Sequence, residues 1–266
     1  VPTPLAELIG YRYLFEQMVR RELRQKYKGS ALGLLWYVVN PLVLMAVYTV
    51  IFTYVLRRPF NVRDYALFVL VGIVVWMFFS QALTGAATAL LDQGALVRRA
   101  VFPRETIPAA VVTVQLVTFC VILGLIAPVV FVVHGSLSPW LVLLPLYVAL
   151  LYGFALGLGL VLSVLHAYFR DVAPILGAAL LPWFFITPIF FPPTHFPGAH
   201  NHQWVQPLIR WANPVAPFVE AVRTIVFDGR WPGLAVTAYV VAAAGLALVA
   251  GTLLFRRLQG ELAVVV

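Results

Sequence analysis

The sequence predicts an all-α integral membrane protein: six transmembrane helices, an N-terminal amphipathic interface helix and outer re-entrant gate helices. Three observations predict it. Of the 266 residues, 62% are hydrophobic and 11% are charged, with a mean hydropathy of +0.96. A soluble domain carries about 25% charged residues, so 18 basic and 10 acidic side chains cannot cover a water-facing surface of this size. The charges are also segregated, leaving charge-free runs near the roughly 20 residues that cross about 30 Å of hydrocarbon as a helix. Finally, those runs lack the in–out alternation of a membrane barrel. Soluble-enzyme, nucleic-acid-binding and disordered classes are excluded. The net charge of +8 then marks topology and anionic headgroups rather than a nucleic-acid partner. The lone Cys120 builds neither a disulfide framework nor a metal cluster.

Taken in order, the spans fall at 34–56, 65–91, 108–133, 140–166, 172–191 and 233–255. The third and fourth share a run without Asp, Glu, Lys or Arg, divided by the turn composition His134-Gly-Ser-Leu-Ser-Pro139. Residues 1–28 lack a continuous apolar core, which predicts no signal peptide before the first span. Of the 18 Lys and Arg residues, 12 fall on the side of the termini, which predicts cytoplasmic termini. The chain reads as a single transmembrane domain over 1–266: an interface helix in 1–33, spans one to five in 34–191, outer helices in 192–232, and the last span with a short tail in 233–266.

Three segments are neither span nor simple loop. In residues 5–28, Leu8, Tyr11, Phe15, Met18, Val19 and Leu23 fall on one helical side and Arg20, Arg21, Arg24 and Lys28 on the other. This describes a helix in the interface plane; the competing reading is a topogenic charge cluster. The loop from Asp92 to Pro108 is basic through Arg98, Arg99 and Arg104, and apolar through Leu96, Val97, Val101 and Phe102. A short cytoplasmic helix there could take force from a soluble partner. The connection 192–232 carries helical apolar spacing over 203–212 and 217–227, split at Asn213-Pro214. Each half is about 15 Å long, half a bilayer. Irregular backbone at membrane depth is tolerated only against protein or water, so these halves read as a pathway mouth, or otherwise as an interfacial hairpin. Glu220 and Arg223, three apart, can pair on one face.

Chemistry is sparse. A P-loop needs Gly-Lys-Ser/Thr, and the only lysines, Lys26 and Lys28, follow Gln25 and Tyr27. No ionisable Asp, Glu, Lys or Arg falls inside a predicted span, which disfavours proton coupling. Transport would need an energy source on another polypeptide. For an intramembrane enzyme there is no Ser–His pair on facing spans and no His-Glu-x-x-His. His195, His200 and His202 cluster in the outer loop without a further ligand, so no metal site is expected. His166, near Arg170-Asp171, reads as a structural pairing. The 19 Phe, 11 Tyr and 7 Trp suit an interfacial belt; facing a channel, they could stack on sugar rings. Gly153-x-x-x-Gly157-x-Gly159 marks close helix packing.

These residues resemble a known family. From Tyr11 to Pro41 the chain reads Tyr-Arg-x-Leu-Phe, Arg-Arg-Glu-Leu-Arg, Tyr-Lys-Gly-Ser-x-Leu-Gly-x-Leu-Trp and Asn-Pro. This looks like the N-terminal signature of permease subunits of polysaccharide ABC exporters of the type-2 permease class. The basic loop ending in Phe102-Pro103, Tyr168-Phe-Arg170-Asp171-Val, Thr187-Pro188-Ile189, and Asn213-Pro214 followed by Arg223 are similar to later family motifs in the same order. The resemblance covers essentially the whole chain. It implies a homodimer in the bacterial cytoplasmic (inner) membrane with two cytoplasmic ABC ATPase subunits. ATP and Mg would sit on those subunits, and this chain would bind no cofactor. It also implies export of a lipid-linked polysaccharide, such as O-antigen, capsule or teichoic-acid-like polymer, with membrane lipids and no nucleic acid as other contacts. Arg20, Arg21, Arg24, Arg98, Arg99, Phe102, Pro103, Arg170 and Asp171 would couple to the ATPase. Pro188, Asn213, Pro214, Glu220 and Arg223 would form the outer gate, and Trp36, Tyr37, Tyr48 and Phe185 would line the channel. The alternatives are a permease for another lipid or drug and, from a different class, a polytopic membrane enzyme.

Overall fold

The computed structural model describes residues 11–27, 33–55, 62, 64–99, 102–135, 138–192 and 205–261; the side chains of Tyr37, Arg98 and Arg99 lie outside that description. The helices are α1 (Arg12–Tyr27), α2 (Trp36–Val50), α3 (Tyr65–Asp92), α4 (Gly94–Arg99), α5 (Thr106–His134), α6 (Leu144–Tyr168), α7 (Val172–Ile186), α8 (Val205–Ala212), α9 (Ala216–Val226) and α10 (Leu234–Leu258). A wider helical turn, Ile51–Val55, prolongs α2, and a tight turn, Pro139–Leu143, leads into α6. No strand occurs among the described residues.

Among the described residues, five helical stretches are long and apolar enough to cross a bilayer: Val38–Val55, Tyr65–Asp92, Thr106–Val133, Pro139–Tyr168 and Leu234–Leu258. The fifth expected span differs. It was expected to run to residue 191, but α7 ends at Ile186 after 15 residues, about 22 Å at 1.5 Å per residue against about 30 Å of hydrocarbon. Pro188 is the cause. It disfavours helical geometry at the preceding residue, and Thr187 is extended at φ −72°, ψ 136°. The chain then turns inward, burying Ile189, Phe190 and Phe191.

Helix α3 is apolar on every side, the signature of a helix surrounded by protein. Val69, Val71, Ile73, Val75 and Phe79 are wholly buried, and α2, α5, α6, α7 and α9 pack around it. The break expected between the third and fourth spans forms as a left-handed Gly135 (φ 75°) closing α5, followed by Ser138, whose Oγ accepts from the Trp140 N–H at 3.2 Å. Left-handed geometry at a helix end favours glycine.

Helices α6 and α10 touch backbone to backbone. A Cβ on Gly157 would overlap the Ala247 carbonyl, and a Cβ on Gly251 would overlap the Gly157 carbonyl. This is the small-residue crossing that lipid-embedded helices use to gain van der Waals contact.

At the end of the bundle that holds α1, a second apolar cluster joins Met18, Leu90, Val97, Ile107, Val164 and Phe255. The described part of the amphipathic 5–28 segment, α1, is therefore a helix docked on protein by its apolar side, while Leu8 and Lys28 lie outside the described residues. Its other side stays exposed, with Arg20 paired to Glu16 at 2.6 Å. The short helix expected in the second–third loop is α4, with Val97 buried. His166 is buried, and its Nδ1 accepts the Ala173 N–H at 3.3 Å. The pairing expected there is thus a cap on the first turn of α7 rather than a contact with Arg170 or Asp171. His166→Ala is expected to cost about 1 kcal/mol, as for loss of a helix cap, read as a lower Tm in detergent with export retained.

Candidate functional site

Two ends of the bundle carry the polar chemistry. At the α1 end, Arg20, Arg21 and Arg24 lie exposed on α1, and Arg170 and Asp171 lie exposed at the α6–α7 turn. Phe102 and Pro103 are half-buried, Phe102 against the second apolar cluster. The Pro103 carbonyl accepts from Thr106 Oγ1 at 2.7 Å. This end is tied together across the chain. Arg104 donates to the Gln259 carbonyl at 2.6 Å, Arg256 pairs with Glu105 at 2.9 Å, Tyr168 donates to the Leu258 carbonyl at 2.7 Å, and Gln93 donates to Glu22 at 2.6 Å. The second–third loop thus bears on both α1 and the end of α10.

At the opposite end, the two short helices expected in 192–232 are present as α8 and α9, hinged at Asn213-Pro214. The interrupted backbone after α7 needs partners, because a buried carbonyl without a donor is costly. Three successive carbonyls find them in side chains from elsewhere. Arg223 Nη1 donates to Pro188 at 2.8 Å, Arg223 Nη2 to Ile189 at 2.9 Å, and Tyr65 Oη to Phe190 at 2.9 Å. Asn213 binds the same turn from α8. Its Nδ2 donates to Thr187 Oγ1 at 2.9 Å, and its Oδ1 accepts from Trp183 Nε1 at 2.9 Å and from the Val215 N–H at 3.1 Å. Pro188, Asn213 and Arg223 therefore meet in one hydrogen-bonded assembly, and Pro214 supplies the hinge beside it.

Arg223 is 4% exposed. Its guanidinium carbon lies 3.7 Å from the centroid of the Phe68 ring, a cation–π contact. Gly72 lies beneath it, where a Cβ would overlap Nη2. Burial pushes the Arg223 pKa down to about 9, while the charges of Asp228, Tyr65 and Glu220 pull it upward, so it remains a cation at neutral pH.

The expected Glu220–Arg223 pair does not form. Glu220 takes a two-pronged contact from Arg210, with Nε to Oε2 at 2.9 Å and Nη2 to Oε1. The i,i+3 spacing allows a pair within one helix, but the planar fork of Arg210 meets both carboxylate oxygens across the α8–α9 hairpin. Sequence reasoning missed Arg210, Trp183, Tyr65 and Gly72, and met Thr187 only within the Thr187-Pro188-Ile189 motif. Only Arg210 had a signal: a carboxylate in an apolar helix needs a partner, and Arg210 is the basic residue of the neighbouring short helix.

Of the four aromatics expected along a channel, Tyr48 and Phe185 come together, with centroids 6.4 Å apart. Phe184 and Phe190 join them, 5.7 and 4.6 Å from Tyr48. Trp36 is exposed but 12 positions earlier on α2, roughly 18 Å along the axis. Tyr37 lies on α2 with its side chain outside the description. Beside the aromatic group, a groove of about 300 Å³ opens between α2, α3 and α7, lined by Tyr48, Trp76, Met77, Ser80, Leu181 and Phe184 among others. His195, His200 and His202 lie outside the described residues.

A helical membrane bundle with broken elements at one end and a basic, cross-tied surface at the other describes a transporter subunit, and the ABC-2 type transporter family model matches residues 13–227. The chain belongs to that family. It is 33% identical over 227 residues to an O-antigen export system permease protein RfbA of Myxococcus xanthus, covering 85% of each chain. It is 27% identical to an RfbA of Klebsiella pneumoniae, covering 89% of this chain and 92% of the relative. It is also 27% identical to the polysialic acid transport protein KpsM of Escherichia coli, covering 80% and 81%.

Proposed function

We propose that this chain is the transmembrane subunit of an ATP-driven exporter that moves a lipid-linked polysaccharide outward across the bacterial cytoplasmic membrane. The observation that carries this reading is similarity to polysaccharide export permeases over four fifths or more of both chains. The geometry agrees with it. The groove beside Tyr48, Trp76 and Phe184 offers ring faces to the flat C–H faces of sugars while making few polar demands, which suits a repeating polymer that must bind and leave. The exposed side of α7 carries Gly177, Ala178 and Ala179, small residues that let another helix approach closely. A second copy of the chain would cover that side and enclose the groove. The Thr187–Phe191 turn with α8 and α9 forms the outer gate.

Lacking a phosphate-binding lysine motif, the subunit takes its energy from two partner ABC ATPase subunits, which hold the ATP and Mg. They dock at the cytoplasmic end on α1 and the Asp92–Glu105 segment. Docking there moves α10 as well, because Arg104 and Glu105 are fastened to its end.

Export of the cell's own surface polymer, measured with and without the partner ATPase, tests the function. Polymer is expected at the surface only when both are present; export without any ATPase overturns the reading. Reversing Arg98 and Arg99 to glutamate is expected to reduce export at least about tenfold, the effect of about 1.4 kcal/mol of lost coupling, while the variant still inserts and purifies as a monodisperse species. Unchanged export in that variant places the docking surface elsewhere.

A further inference from the structure

A cavity of about 540 Å³ lies at the end of the bundle away from α1. It is within the range of small-molecule sites, roughly 300–1,000 Å³. Its polar wall holds Arg210, Arg223, Arg230, Glu220 and Asp228. Arg210 and Glu220 neutralise one another through their two-pronged contact. Arg230 stands 3.8 Å from Asp228, beyond hydrogen-bonding distance, and three quarters of its side chain is exposed. Arg223 lies within ion-pair distance of no described carboxylate, and its Nε, fully buried, has no hydrogen-bond partner. Among the described residues the wall therefore carries three cations against two anions, and the most deeply buried cation is bonded to two carbonyls and stacked on a ring. The remaining wall is apolar, with Phe68, Phe227 and Pro232. Phe68 sits in the first turn of α3, and Pro232 just precedes α10. The cavity is thus level with the ends of two spans, at the depth of lipid headgroups.

We propose that this cavity binds a phosphate group at the membrane interface. Guanidinium groups are suited to phosphate because their planar donors match its oxygens, and the phosphate would supply the negative charge that the wall lacks. Thr224, half-buried on the same wall, adds a hydroxyl donor. The apolar part of the wall would receive the glycerol or chain stem of a lipid. The phosphate could come from a headgroup of the adjacent leaflet or from solution.

The test places a single cysteine in the cavity, Thr224→Cys in a Cys120→Ala background, with the full chain in nanodiscs. Its reaction with a water-soluble maleimide is timed in phosphatidylcholine alone, in phosphatidylcholine doped with phosphatidylglycerol, and in phosphatidylcholine with millimolar inorganic phosphate replacing chloride. Labelling is expected to slow about fivefold where the ligand is present at a few times its Kd. Slowing with phosphatidylglycerol identifies a lipid source, and slowing with phosphate a dissolved one. Arg230→Gln and Arg223→Gln are expected to restore the unprotected rate. The melting temperature of the chain without the cysteine, in the same three conditions, is the second readout: it rises with the ligand, and the rise disappears in Arg230→Gln. Rates and melting temperatures equal in all three conditions overturn the proposal, as does protection that survives Arg230→Gln. No polymer or ATP enters the experiment, so its failure leaves the export reading untouched.

Discussion

Gly157→Leu is expected to eliminate the folded subunit. The carbonyls of Ala247 and Gly157 occupy the space that a Cβ on Gly157 or Gly251 would need. The obstruction is backbone, which cannot rotate aside as a side chain does. Overpacking a fitted core costs about 1–3 kcal/mol where side chains can shift, so alanine at Gly157 is expected at the upper end of that range or beyond. Leucine must separate α6 from α10 altogether, with the loss of most of the contact on which association in lipid depends. The measurement is the yield of monodisperse protein after detergent extraction, expected near zero for Gly157→Leu. Gly245 is the control. It lies on the same α10, but a Cβ there meets nothing within 4 Å, so Gly245→Leu is expected to leave the yield unchanged. Equal yields for the two variants would mean that the α6–α10 contact does not hold the bundle together.

That crossing was half legible. Gly153-x-x-x-Gly157 announced a close approach, but nothing local named Ala247 and Gly251 as the opposing surface. The long spans were legible for a simpler reason. Lipid imposes length and apolarity on every crossing helix, and the breaks at Gly135 and Gly233 use left-handed backbone (φ 75° and 87°) that glycine tolerates and that sequence punctuation advertises. Helix α7 escaped because hydropathy continues unbroken through Ile189, Phe190 and Phe191 while the helix does not; those residues are apolar because they fold back into the core. The α8–α9 hairpin was visible from Asn213-Pro214, since proline restricts the residue before it. The role of Asn213 in holding Thr187 and Trp183 was not visible, because those contacts join positions 26 and 30 residues apart. Pairing Glu220 with Arg223 applied a one-helix rule where a two-helix contact prevails. The aromatic groove was legible as a composition but not as a place, since periodicity does not tell which rings of α2 and α7 face one another.

Arg223→Met is expected to release the turn that ends α7. Methionine fills a similar length and avoids a large cavity, so the change isolates the guanidinium. Two buried carbonyls, Pro188 and Ile189, then lose their donors. An orphaned buried polar group costs about 1–3 kcal/mol, which sets the loss at roughly 2–6 kcal/mol before relief from burying a cation is credited. Phe68 also loses its cation–π partner, worth about 0.5–2 kcal/mol. The net effect is expected to be a destabilised assembly around the Thr187–Phe191 turn, read as a clear fall in melting temperature and as faster labelling of a cysteine introduced at Thr187. Arg223→Lys separates charge from geometry. An ammonium keeps the cation but cannot present two parallel donors to two successive carbonyls, so it is expected to recover less than half of the lost stability. Gly72→Ala is expected to mimic the defect from the other side, because its methyl group takes the space of Nη2. If Arg223→Met melts with the unmodified chain and position 187 stays protected, the carbonyls have found other donors, and α9 is not what holds the exit of α7.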